Sequence, residues 1–174
     1  MTNSNGTPRV LVAVASKHGA TQGIAEATAE ELRRRGLDAE VRAADEVRGI
    51  QGYDAVVLGS AVYMGKWLPA ARDLADRERE VLAGLPVWLF SSGPLGHEHP
   101  QPEGEPAQLD QLLAQTNARG HRIFAGELDR SELGAGERLL ARMVKAPEGD
   151  FRDWDAIRAW ADEIADALEP ARRG

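Results

Sequence analysis

The feature that most constrains this chain is a repeated pairing. Short, nearly continuous apolar runs are each followed by a stretch with helical periodicity. Arg9–Ala15 ("RVLVAVA"), Asp54–Ser60 ("DAVVLGS"), Leu85–Ser92 ("LPVWLFSS") and His121–Leu128 ("HRIFAGEL") read as strands, with a weaker one at Ala39–Ala43. A run without alternation is the mark of a strand covered on both faces. Between them, residues 20–35 place Ile24, Ala25, Thr28 and Leu32 at helical spacing. From Trp67, the residues Leu68, Ala71, Leu74 and Ala75 do the same, with Pro69 confined to a first turn. Further helices are expected at Ala107–Asn117, within "SELGAGERLLARMVK", and at Asp153–Leu168. The last has Trp154, Ile157, Ala161, Ile164, Ala165 and Leu168 on one face and Asp153 as N-cap. Gly36, just past Arg33, Arg34 and Arg35, fits a left-handed helix end with cations at the negative pole of the dipole.

Such alternation implies an α/β fold: a parallel sheet, right-handed crossovers and helices on both faces. Ligands of such sheets bind outside the carboxyl ends of the strands, where the strand order reverses. The segments after the strands, 16–21, 60–66 and 92–99, are therefore the places to look for function. Composition narrows the classes. A net charge of -7 argues against a nucleic-acid binder. The absence of cysteine removes disulfides, thiolate metal sites and a cysteine nucleophile. No apolar run is long enough to span a bilayer, and "MTNSNGTPR" has no hydrophobic core of a signal peptide, so the expected location is cytoplasmic.

The first segment, "SKHGAT", leads from a strand directly into a helix N-terminus, where free amides and the helix dipole favour an anion. Gly19 allows close backbone approach, and the Ser16 and Thr21 hydroxyls can each donate. Neither the Walker A nor the dinucleotide glycine pattern is present, which narrows the anion to a single phosphate. The competing reading is an ordinary turn whose hydroxyls cap the helix. The second segment, "GSAVYMGKW", is apolar and aromatic where a solvated tip is expected. It suits a flat ring, or else Tyr63 and Met64 pack on a neighbouring helix. The third, "SSGPLGHEHP", offers hydroxyls and amides for the polar edge of a heterocycle. His97 and His99 in this loop read as solvated side chains rather than metal ligands, and no metal site is expected.

These three loops, in this order, resemble those of the flavodoxin-like superfamily over residues 9–168, with "SKHGAT" similar to its S/T-x-x-G-x-T phosphate loop. The resemblance implies a three-layer fold with a five-stranded parallel sheet in the order 2-1-3-4-5 and FMN at the switch point. It makes 9–168 the FMN-binding domain, 1–8 a flexible N-terminus and 169–174 a tail. It assigns the phosphate to Ser16, Lys17, His18, Gly19, Ala20 and Thr21. One side of the ring falls to Ala61, Val62, Tyr63, Met64 and Gly65, and the other to Ser92, Gly93, Pro94, Leu95 and Gly96. Within the superfamily, the second loop and "GDFRDWDAIRAWADEIADAL" are most similar to flavodoxin-domain proteins akin to menaquinone-dependent protoporphyrinogen dehydrogenases.

Departures from a small electron carrier bear on function. The third loop has no Tyr or Trp, the phosphate loop carries Lys17 and His18, and Lys66 follows the ring loop. A cation near the ring favours the anionic reduced flavin and opposes a very low potential. The open ring face leaves room for a flat organic substrate. The expectation is an FMN-dependent oxidoreductase that dehydrogenates a porphyrinogen-like substrate with a quinone as acceptor. The alternatives are an electron carrier between redox partners, and a flavin-free or deazaflavin-binding domain that keeps the fold. No catalytic side chain is assigned. Glu137–Lys145 ("ERLLARMVK") sets Leu139, Leu140, Met143 and Val144 beside Arg138, Arg142 and Lys145. Its apolar side either packs on the domain or docks on an anionic membrane to meet quinone.

Overall fold

The first apolar run forms strand β1 over its full expected length, Arg9–Ala15. Alternate side chains explain why it reads as continuous. Val10, Val12 and Val14 enter one core, and Leu11, Ala13 and Ala15 enter the other. The computed structural model describes residues 6–16, 19–63, 66–93, 109–125, 127–128, 149–150 and 152–169. Helix α1 (Ala20–Arg34) follows β1, then β2 (Asp38–Ala43), a single 3₁₀ turn (Ala44–Glu46) and β3 (Ala55–Tyr63). A short β4 (Lys66–Trp67), α2 (Pro69–Arg77) and α3 (Arg79–Ala83) precede β5 (Val87–Gly93). Helix α4 (Leu109–Thr116), β6 (Gly120–Ala125), the antiparallel pair β7 (Glu127–Leu128) and β8 (Gly149–Asp150), and α5 (Trp154–Leu168) complete the described chain.

The long strands are parallel in the order β2-β1-β3-β5-β6, which is 2-1-3-4-5 once the short β4 is set aside. The chain thus winds outward in both directions from β1 and β3, and the strand order reverses at that pair. Helices α1 and α5 cover one face, burying Ile24, Leu32, Ile157, Trp160, Ile164 and Leu168 against Val57 and Phe90. Helices α2, α3 and α4 cover the other, where Leu74, Leu82 and Leu112 meet Leu58 and Leu89. Burial of side chains this size, each worth about 1.5–3 kcal/mol, is what holds the three layers together.

The two helices of the first face are also tied by charge. Arg33 donates to the Ala39 carbonyl at 2.8 Å, and Arg34 pairs with Glu31 within its own helix. Arg35 reaches across to α5 and meets Asp162, Asp166 and Glu169 at 3.0, 2.5 and 3.0 Å. Gly36 takes the left-handed conformation the sequence demands there, with φ of 88°. Asp153 caps α5 as expected, its carboxylate accepting from the Ala156 amide at 3.0 Å.

Two local expectations are corrected. Trp67 does not begin a helix; it lies on β4, and α2 starts at Pro69. Leu68 precedes a proline and is extended, with φ of −65° and ψ of 147°, so no helix can run through it. The fourth strand starts at Val87 rather than Leu85, although the Pro86 carbonyl still accepts from Val56 at 3.0 Å. The expected loop 93–106, beyond Gly93, and the helix expected at 131–145 lie outside the described residues, as do residues 1–5 and 170–174.

Candidate functional site

Register brings the three sequence segments to one edge. Ala15 of β1 pairs with Ser60 of β3, Ala61 with Ser92 of β5, and Gly93 with Ala125 of β6. β5 and β6 end level with one another a little beyond β1, and β3 runs further still, all at the carboxyl edge of the sheet.

At the end of β1 the chain turns into α1 through Gly19. This residue has φ of 87°, where an L side chain is strained, and a Cβ there would meet nothing within 4 Å. The N-terminus of α1 has no side-chain cap and no acidic residue in its first turn. Its first amides have no cap from the Gly19 position and lie at the positive end of the helix dipole. The Ser16 hydroxyl accepts from the Gly19 amide at 3.0 Å, which closes the turn and leaves its own O–H to donate. Thr21 is buried in the first turn. This donor set fits a phosphate. Lys17 and His18 lie outside the described residues.

The second segment is not a loop to its full extent. β3 continues through Ala61, Val62 and Tyr63 and folds back on β4, with Val62 opposite Trp67 and Tyr63 opposite Lys66. Ala61 and Val62 are half-buried and Lys66 is exposed. Met64 and Gly65 lie outside the described residues. The Ser60 hydroxyl, fully buried, accepts from the Leu68 amide at 2.9 Å and donates to the Ala61 carbonyl at 2.8 Å. Of the third segment, Ser92 is buried and Gly93 ends β5; Pro94, Leu95 and Gly96, with His97 and His99, lie outside the described residues. Among the described residues no three His, Cys, Asp or Glu side chains gather as a metal site, and no helix is long and apolar enough to cross a membrane.

Several contacts at and behind this edge escaped the sequence reading. The Trp67 indole, 1% exposed, donates to Ser91 Oγ at 2.7 Å, and Ser91 Oγ lies 2.7 Å from His121 Nε2. Burial, and then the adjacent Arg122 cation, push the His121 imidazole down to about 4, so it is neutral at pH 7. Arg152 comes from the far end of the chain to donate to the Ala20 carbonyl at 3.3 Å, with its guanidinium 4.5 Å from the centre of the Trp154 ring. Gly23 makes room for it, since a Cβ at that position would sit 2.5 Å from the guanidinium. No local motif marks the Trp67–Ser91–His121 contacts or the Arg152–Ala20 bond, each of which joins distant parts of the chain.

The model of the flavodoxin domain matches residues 11–155. The chain belongs to the flavodoxin domain family. Among curated proteins it is similar to the protoporphyrinogen IX dehydrogenase [quinone] of Escherichia coli, with 22% identity over 90% of this chain and 94% of that one. Among solved structures, a flavodoxin from the domain Archaea superposes with a TM-score of 0.62 at 15% identity, over 92% of this chain and 99% of that chain. A Streptococcus pneumonia flavodoxin gives 0.60 at 18%, over 91% and 99%. The rubredoxin oxygen:oxidoreductase of Desulfovibrio gigas gives 0.66 at 15%, over 95% of this chain and 38% of that larger one. At these identities the solved structures establish the fold, and the expected strand order stands with them.

Proposed function

We propose that this flavodoxin-family chain binds FMN at the carboxyl edge of its sheet and acts as an oxidoreductase, dehydrogenating a flat, porphyrinogen-like substrate with a quinone as acceptor. The observation that supports the cofactor reading is the N-terminus of α1, which follows β1 through left-handed Gly19 and carries no acidic residue in its first turn. In this reading Ser16, Lys17, His18, Gly19, Ala20 and Thr21 hold the phosphate. Ala61, Val62, Tyr63, Met64 and Gly65 flank one side of the ring, and Ser92, Gly93, Pro94, Leu95 and Gly96 the other. The flavin, when bound, supplies hydride acceptance from the substrate and two-electron delivery to the quinone. The protein's part is to orient the ring and to set its charge environment. Lys66 is exposed on β4 beside the ring arm, and its positive charge favours the anionic reduced ring. The substrate class rests on the end-to-end similarity to the quinone-dependent dehydrogenase.

The test compares FMN with riboflavin, which lacks the phosphate. The wild-type chain should bind FMN at least about tenfold more tightly, and Ser16→Ala should weaken FMN while leaving riboflavin unchanged. Equal affinity for the two flavins would overturn the phosphate assignment. Anaerobic reduction by a porphyrinogen followed by reoxidation with a menaquinone analogue tests the reaction. If no quinone reoxidises the reduced protein and a one-electron-reduced form accumulates instead, the chain is an electron carrier.

A further inference from the structure

We propose that His121, on the edge strand β6, is a positioning residue for the ring-bearing arm of the site, acting through Ser91 on Trp67. The arm is intrinsically weak. Among the described residues β4 has two, and its pairing with β3 is Val62 with Trp67 and Tyr63 with Lys66. A two-residue ribbon cannot hold a fixed position by its own ladder. What fixes it is the burial of Trp67 and two hydroxyls below it. Ser60 holds the Leu68 amide, and Ser91 holds the Trp67 indole.

The direction of each bond follows from donor chemistry. An indole N–H can only donate, so Ser91 Oγ accepts from Trp67. The Ser91 O–H then remains to be satisfied, and its other partner is His121 Nε2. We assign that nitrogen as the acceptor, with the ring proton on Nδ1, because this tautomer of the neutral imidazole gives the Ser91 O–H a partner as well as its lone pair. The imidazole thereby fixes the rotation of the Ser91 hydroxyl so that a lone pair faces the indole. The chain of bonds links β6 to β5 and β5 to Trp67 on β4, whose cross-strand partner is Val62.

A serine oxygen 2.7 Å from an imidazole nitrogen also has the spacing of a nucleophile and its base. Here the geometry excludes that role. Ser91 is fully buried, its oxygen accepts from Trp67, and its proton is directed into His121. No substrate atom can reach the hydroxyl without dismantling the bonds that hold it. The group is committed to orientation.

This inference rests on the flavin reading for its ligand, and the experiment separates the two. The indole N–H resonance of Trp67, identified by its loss in Trp67→Phe, reports the arm directly. In His121→Leu that resonance should move and exchange faster with water, and FMN and riboflavin should both weaken by about fivefold, the loss of roughly one neutral hydrogen bond. His121→Gln, whose side-chain oxygen can accept from Ser91, should restore both affinities to within about twofold. Adding His121→Leu to Ser91→Ala should cause no further loss, because the relay is already broken. If His121→Leu fails to fold, Ser91→Ala serves as the broken state. An unmoved indole resonance, a loss confined to FMN, or additive losses in the double variant would overturn the proposal. If the wild-type chain binds neither flavin, the functional reading falls and the ligand part of this proposal with it. The indole resonance then still decides whether His121 holds the arm.

Discussion

Gly59→Ala is the substitution for which the structure gives the sharpest expectation. Gly59 stands in β3 directly opposite Phe90 of β5, and an added Cβ would overlap the Cε1, Cζ and Cδ1 atoms of that ring. Phe90 has no exposure, and two aromatic rings pack against it. Its ring lies 5.8 Å from Trp160 in an edge-on contact and 6.3 Å from Phe124, and those two rings are 5.5 Å apart. Overpacking a methyl into such a site costs about 1–3 kcal/mol. Loosening one or two aromatic contacts adds about 0.5–1.5 kcal/mol each. The reduced freedom of the unfolded chain returns about 0.4–1 kcal/mol. The net loss is about 2–4 kcal/mol, which for a domain of this size lowers Tm by roughly 5–15 °C. Scanning calorimetry measures it directly. The double variant with Phe90→Leu should lose less than the sum of the two single changes, because the smaller side chain vacates the contested space. A Tm within about 2 °C of the wild type, or an additive pair, would refute the packing account.

Asp153→Ala removes the cap on α5 and should cost about 1 kcal/mol, read as a lower urea midpoint with an unchanged slope. Arg35→Gln leaves Asp162, Asp166 and Glu169 facing one another; Tm should fall in low salt, and the difference should shrink in molar salt. The pH dependence of stability should carry the signature of His121. Its value of about 4 lies below the ordinary 6.5, so the native state holds fewer protons than the unfolded chain between those limits. Stability should therefore rise with pH across that window, and be lost as pH falls from 6.5 toward 4; His121→Gln should flatten this slope in denaturant titrations at a series of pH values. Gly23→Ala should displace the Arg152 guanidinium rather than the backbone, because the crowded atom ends a flexible side chain. The gain of about 1 kcal/mol in helix propensity offsets the lost contacts, so calorimetry should find Tm nearly unchanged.

Elements whose neighbours cover them uniformly were legible from residues alone. Arg9–Ala15 is a strand because both faces are buried, and the α5 face from Ile157 to Leu168 announces itself by period. Trp160 joined that face unnoticed; its burial is decided by Phe90 and Phe124, which sit on other strands. Gly59 opens the segment "GSAVYMGKW" with nothing in the sequence to mark its purpose; its reason is a ring lying across the strand pair, visible only once the register is known. The return strand at Lys66–Trp67 was masked by the helical spacing of the residues beyond it. The Leu68–Pro69 dipeptide held the contrary signal. Of the candidate site, the turn at Ser16 and Gly19 was readable because strand, glycine and helix are contiguous. The Trp67–Ser91–His121 relay and Arg152 were not, since topology alone brings those residues together.

The joining of α1 to α5 also has a bearing on how the molecule comes into being. One face of the sheet, with Val57, Trp88 and Phe90, takes part of its cover from residues 154–168. During synthesis that face stays partly open, and Arg35 has no α5 carboxylates to meet, until the closing helix has been made. Contacts so distant in sequence are slow to form, and exposed apolar surface in the interval invites association. The opposite face draws its helices from residues 69–116 and can close earlier. Assembly is therefore asymmetric, and the aromatic cluster around Phe90 is completed late.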